Sequence, residues 1–239
     1  MKSRKIIVVL LAVIMTFAMT ATVSADANAS WNAAKGTATV DGQKDDVYSG
    51  AQEMKMEAVS DGTADGTAAS AWAVYDAEAF YIFIEVKDSA LDDTAANVYE
   101  KDSIEFRFEN KGQLMQAYAV AETFDGKCAS EVKVLKTDAG YNVEFKVPYA
   151  TSEGGSVKFS LQVNAASDGK RNCTLHTNAD LKDVWQNDAV LENLVFSAEA
   201  TAVATDAPKT GVVSFGLIFG IGAVLSGTGS AILKGKKKD

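Results

Sequence analysis

The sequence predicts an all-β protein, an antiparallel β-sandwich of jelly-roll-like form, flanked by an N-terminal signal peptide and a C-terminal transmembrane segment. Three observations lead there. Stretches that alternate apolar and polar residues recur through the middle of the chain. Turn residues punctuate them at short intervals, and no window carries the apolar spacing of an amphipathic helix.

At the start, Lys2, Arg4 and Lys5 precede an apolar run from Ile6 to about Met19, and Val23-Ser24-Ala25 supplies small residues at a cleavage position. Residues 1–25 therefore read as a secretory signal peptide, too short for a membrane span. The expected domain runs over 26–197. Trp31 lies in an irregular lead segment and is expected to cap the sandwich, and Ser60 to Ala69, rich in Asp, Gly, Thr and Ala, reads as a loop. In the first clear strand Trp72 and Val74 alternate with Ala71, Ala73 and Tyr75, which puts Trp72 on the core side. Asp76 to Ala79 reads as a short hairpin connection. Phe80, Ile82, Ile84 and Val86 then form one face of a second strand. After an acidic loop, Ile104, Phe106 and Phe108 form one face of a third, with Glu105 on the opposite side.

Further strands are expected over Glu131 to Leu135, Tyr141 to Val147 and Val157 to Ala165, with Thr137 to Gly140 as the turn between the first two. Leu194 to Phe196 closes the set. Residues 198–207 form an Ala/Thr linker whose reach is at most roughly 35 Å.

The tail, 208–239, has three parts: Pro208-Lys209-Thr210-Gly211, an apolar stretch from Val212 to Leu233, and four lysines. It is long enough to cross a bilayer with the lysines held inside. This order resembles the cell-wall sorting signals of Gram-positive bacteria. The resemblance implies a sortase that cuts between Thr210 and Gly211 and joins Thr210 to peptidoglycan; a plain membrane anchor is the other reading, because Ala207 stands where such signals carry Leu. Either way the domain is extracellular.

Charge narrows the partners. Setting aside the three basic residues of the leader, the five of the tail and Asp239 leaves 15 basic and 31 acidic side chains, a net charge of about −16. That disfavours nucleic acid and anionic lipid and suits neutral ligands or divalent cations. Asp88, Asp92 and Asp93, with Asn97 and Asp102 nearby, offer oxygen ligands for calcium, although no EF-hand spacing is present and a plain acidic loop fits equally. Cys128 and Cys173 form an even pair in an exported chain, either a disulfide or two buried thiols. The single histidine, His176, has no nucleophile motif beside it, and no His cluster can exist. The expectation is a protein that is not an enzyme.

Asp76, Glu78, Phe80, Tyr81, Val86 and Asp88, followed by Tyr99, Glu100, Asp102, Ser103, Ile104, Glu105 and Phe106, stand in the order seen in the family 9 carbohydrate-binding modules, which this chain resembles over roughly residues 36 to 197. Thr39 to Gly42, Gly140 to Glu144, Phe159 to Asn164 and Trp185 extend the resemblance. It implies the sandwich fold and non-catalytic binding of oligosaccharide or polysaccharide ends, with a sugar held between two aromatic rings. By position these are Tyr99, where the family carries Trp, and Trp185. Glu105 matches the hydroxyl-binding acid. Gln116 and Lys182 fall near positions where the family uses an arginine and an asparagine. Exposed aromatics flanked by such polar groups suit sugars, whose C–H patches pack on rings while their hydroxyls need planar partners. The alternative is a structural or assembly protein of the cell surface that keeps the fold without sugar binding.

Overall fold

A computed structural model of the protein describes residues 29–63, 65–108 and 115–198. The expected signal peptide, the sorting segment with Pro208, Thr210 and Gly211, and all but the first residue of the linker lie outside these residues. Among the described residues no helix is long and apolar enough to cross a membrane.

The described residues form thirteen strands: β1 (Ser30–Lys35), β2 (Met54–Met56), β3 (Ala58–Gly62), β4 (Ala68–Tyr75), β5 (Ala79–Lys87), β6 (Ser103–Phe108), β7 (Met115–Tyr118), β8 (Thr123–Gly126), β9 (Glu131–Thr137), β10 (Gly140–Pro148), β11 (Ser156–Ser167), β12 (Lys170–His176) and β13 (Glu192–Ser197). Hydrogen bonds link them in the order β8-β7-β6-β11-β13-β1-β4-β5-β10-β9, with β12 added to β11, β3 to β12, and β2 to β4. The chain folds this continuous sheet into two wings that meet at β1. Their inner faces touch through aromatic rings: Phe106 of β6 lies 4.8 Å from Phe145 of β10, and Tyr75 of β4 lies 5.0 Å from Phe196 of β13. Such tilted ring pairs add about 1 kcal/mol each beyond their burial.

Three expectations are corrected. The sheet is not purely antiparallel, because β1 runs parallel to both β13 and β4. The segment from Ser60 to Ala69 is not all loop: β3 continues to Gly62 and pairs with β12, and β4 begins at Ala68. Trp72 does not face the main core. Ala71, Ala73 and Tyr75 do, while Trp72 packs on a smaller outer cluster with Tyr48, Tyr81 and Phe83, and the Lys44 ammonium covers its ring at 3.0 Å. Both sides of β4 are apolar, so alternation alone could not say which was inward.

The disulfide alternative also fails. Cys128 and Cys173 are two separate buried thiols, both sunk in the main core, and burial raises the Cys173 thiol above its usual value.

The sequence signatures near the strands prove to be structural ties. Glu144, on β10, reaches the outer cluster, where its carboxylate accepts from the backbone N–H of Asp41 and Gly42 at 3.0 and 2.9 Å and from the Tyr48 hydroxyl at 2.9 Å. Gly42 is required there. Its φ is +82°, and a Cβ would stand 2.8 Å from Leu135. Asp76 closes the β4–β5 turn by accepting from the N–H of Glu78 and Ala79 and from the hydroxyls of Tyr81 and Thr37. Burial pulls the Asp76 carboxyl up, but these donors outweigh it and hold it below the ordinary value. Glu144→Ala would strand the Gly42 N–H and the Tyr48 hydroxyl, while the Asp41 N–H keeps the Thr39 carbonyl oxygen, at a cost of about 3 kcal/mol. The melting temperature is expected to fall by roughly 6–12 °C, measured by calorimetry.

Three carboxyls are shifted the other way. Burial raises Asp102 to about 7, assisted by the facing Asp88 carboxyl, and burial also raises Glu144 and Glu192. The folded protein therefore holds protons that the unfolded chain has released. The stability from these groups is complete below the ordinary carboxylate range and is lost as pH rises through the folded values. The buried His176, lowered to about 4, works in the opposite sense up to pH 6.5, so the melting temperature is expected to fall as pH rises from 6.5 to about 8, and Asp102→Asn should flatten that decline near pH 7. A melting temperature that climbs over that interval would contradict this assignment.

Candidate functional site

The outward face of β6, β11, β12 and β3 forms a polar floor, and strand register explains its composition. Leu161, Val163, Ile104 and Phe106 point into the core, so Gln162, Asn164, Ser103 and Glu105 must point the other way. Glu105 stands across from Gln162, and Asn164 stands across from Ser103 on one side and Thr174 on the other, with Asp61 of β3 beyond. The groups are cross-linked. The Asn164 amide donates to Glu105 Oε1 at 2.9 Å and to Ser103 Oγ at 3.0 Å, and its Oδ1 accepts from Gln162 at 2.7 Å. Asn164 and Ser103 are fully buried beneath the cavity, and the network fixes the rotamers of Glu105 and Gln162, which reach its lining.

Two loops raise walls around the floor. The β5–β6 connection carries Tyr99 on a single 3-10 turn, Val98–Glu100, and the β12–β13 connection carries Lys182, Asp183 and Trp185 around a second, Ala179–Asp183. Leu181 and Val184 are buried and hold the second loop down, while Trp185 is 66% exposed and Tyr99 47% exposed. Tyr99, Trp185, Glu105 and Lys182 border one cavity of about 750 Å³, together with Asp61, Gln162, Arg171, Thr174 and Asp183. That volume lies within the range of small-molecule sites. Gln116, the remaining residue expected here, pairs with Glu105 from β7; its side chain is outside the described residues.

Arg171 is an unforeseen member. Its guanidinium lies 5.9 Å from the Tyr99 ring centroid and 3.6 Å from the Asp61 carboxylate, and donates at 3.5 Å to the Tyr99 carbonyl oxygen. Gln162 and Asn164 were within reach of sequence reasoning, since they share the outward parity of a strand whose inward residues were evident. Arg171 was not, because a β-bulge between Ala165 and Ala166 shifts the register of β12.

The acidic loop beneath Tyr99 is organised by backbone donors. Asp102 is fully buried and accepts from the N–H of Ala166 at 2.7 Å and from the N–H of Asp92. Asp92 in turn accepts from Gly169 N–H at 2.8 Å and from the N–H and hydroxyl of Thr94, contacts that lower its carboxyl. Among the described residues no group of three or more His, Cys, Asp or Glu side chains converges as metal ligands do. Asp88, Asp92 and Asp93 thus form no carboxylate cluster of that kind. Dialysis against EDTA is expected to leave the melting temperature unchanged. A drop restored by calcium would show that a cation holds this loop.

His176 is sealed in the core, its Nδ1 donating to the Leu161 carbonyl oxygen at 2.9 Å, and burial lowers its pKa to about 4. It lies off the cavity lining and is in no position to act on a ligand there.

Residues 40–197 match the family described as carbohydrate family 9 binding domain-like. The chain belongs to that family. It is 27% identical over 190 residues to exoglucanase XynX of Acetivibrio thermocellus, covering 70% of this chain and 17% of that enzyme. It is also 27% identical over 182 residues to endo-1,4-beta-xylanase A of Thermoanaerobacterium saccharolyticum, covering 69% of this chain and 16% of that enzyme. The match spans less than a fifth of these relatives. Among solved structures, a family 9 carbohydrate-binding module from Caldicellulosiruptor kristjanssonii in complex with cellotriose superimposes with a TM-score of 0.63 at 20% identity, covering 75% of this chain and all of that one. A family 9 carbohydrate-binding module from Caldicellulosiruptor kristjanssonii in complex with glucose gives a TM-score of 0.63 at 19% identity, covering 73% of this chain and 99% of that one. At that identity the likeness establishes the fold.

Proposed function

We propose that this family 9 domain binds oligosaccharides or polysaccharide ends at the cavity between Tyr99 and Trp185, without chemistry of its own. One observation carries the reading: two exposed aromatic side chains from separate loops border a single cavity whose floor is a network of carboxylate, amide and hydroxyl groups. Rings take the C–H faces of a sugar, and Glu105, Gln162 and Arg171 take its hydroxyls. An acceptor beside fixed amide donors suits hydroxyl groups that donate and accept together.

The ligands of the solved relatives, cellotriose and glucose, make β-linked glucans and related xylans the first sugars to try. The leader and sorting-type tail support display outside a Gram-positive cell, by sortase attachment to peptidoglycan or by a retained membrane segment. Titration of the full chain with cello- and xylo-oligosaccharides, followed by tryptophan fluorescence, is expected to show saturable binding. Trp185→Ala should weaken it at least about thirtyfold, roughly 2 kcal/mol, as loss of a central aromatic contact does. Glu105→Ala should weaken it about tenfold. Unchanged affinity in Trp185→Ala would remove the site assignment, and no binding at millimolar sugar would favour a structural role at the cell surface.

A further inference from the structure

We propose that Arg107, acting with Asp188, is the positioning residue that fixes where Trp185 stands, so that the second platform is in place before a ligand arrives. This inference rests on the sugar-site reading for its consequence, but the clamp itself is a property of the unliganded protein.

Arg107 lies on β6 two residues beyond Glu105, on the same outward face, and neither the family match nor the sequence pattern singles it out. Its Nη1 donates to the Trp185 carbonyl oxygen at 3.0 Å, while Nε and Nη2 meet Asp188 Oδ1 at 3.0 and 2.7 Å. The segment it grips stands away from the core. Val184 and Leu191 are buried, but residues 185–189 are all exposed, and Trp185 is the most exposed large apolar side chain among the described residues. A side chain rooted in the sheet thus ties down a stretch that the core does not reach.

The chemistry requires arginine. A planar guanidinium presents several N–H groups in fixed directions and can serve a carbonyl and a carboxylate together, whereas a lysine ammonium acts as a point charge. Tyr99 has a looser counterpart, since Arg171 approaches its carbonyl oxygen at only 3.5 Å. Of the two arginine ties, that of Arg107 to the Trp185 loop is the tighter.

Ionic strength should act on this clamp. The Arg107 side chain is 20% exposed and that of Asp188 57%, so dissolved salt screens their attraction. Affinity for an uncharged sugar should then fall with ionic strength, although the sugar carries no charge to be screened.

The test compares the full chain with Arg107→Ala, Arg107→Lys and Asp188→Asn, using acrylamide quenching of tryptophan fluorescence without sugar and affinity for a cello-oligosaccharide with it. A Trp185→Phe chain assigns the part of the signal that belongs to this ring. Arg107→Ala is expected to raise Trp185 quenching about twofold and to weaken sugar binding about tenfold, with Arg107→Lys between it and the parent. The parent should lose roughly two- to threefold in affinity between about 0.05 and about 0.5 M NaCl, and Asp188→Asn should lose that dependence. If Arg107→Ala fails to fold, Arg107→Lys and Asp188→Asn carry the comparison. Unchanged quenching and affinity in both would overturn the clamp, even with a lowered melting temperature. Raised quenching in a protein that binds no sugar would support the clamp and remove the sugar reading instead.

Discussion

The polar floor of the cavity is placed by the packing behind it, because β6 and β11 each give one face to the core and the other to solvent. Phe106, Leu161 and Val163 are locked among rings and branched side chains of both wings. With the period of a strand being two, that lock also decides where Glu105, Gln162 and Asn164 point. A slip of one residue would bury the carboxylate and amides and expose the phenylalanines. The site thus inherits its geometry from apolar contacts that no ligand touches, and the loops that carry Tyr99 and Trp185 need only be pinned to a floor that is already fixed.

Pinning adds charge and backbone donors to the apolar contact of the buried Leu181 and Val184. Asp102 ties the Tyr99 loop to β11 through the Ala166 N–H, Asp92 ties it to Gly169, and Arg107 ties the Trp185 loop to β6. The same logic operates on the far wing, where Glu144 gathers the Asp41–Gly42 turn and Asp76 closes the hairpin. Asp102 and Glu144, raised by burial, and Asp76 and Asp92, lowered by their donors, alike serve as acceptors for N–H groups of turns and loops. Part of the acidity of the chain is thereby accounted for by architecture.

The strands with one strongly apolar face, β5, β6, β10 and β11, were legible because apolar residues at every second position over six or more residues cannot share one face of a helix. Short strands such as β2 and β7, and polar ones such as β3, carried too little pattern, and β1 was hidden because its apolar residues include alanines. Trp72 was misplaced for the reason that β4 is apolar on both sides. In the site, Tyr99, Trp185 and Glu105 were named from the order of motifs alone, since residues as far apart in the chain as Tyr99 and Trp185 leave no local trace of proximity. Arg107 and Arg171 were missed because an arginine on an outward strand face looks like solvated surface until its acceptors are seen.

The placing of the first and last strands bears on how the fold answers a pull. The chain enters through β1 and leaves through β13, which run side by side in the same direction from Ser30 opposite Asn193 to Ala34 opposite Ser197. Tension between those two ends acts along the strands and across their hydrogen bonds, so the rungs share the load and must break together. Antiparallel neighbours pulled from the same end would instead unzip one rung at a time. Force applied to the domain through these two strands would therefore meet a mechanical lock made of backbone alone, independent of whether the cavity is filled.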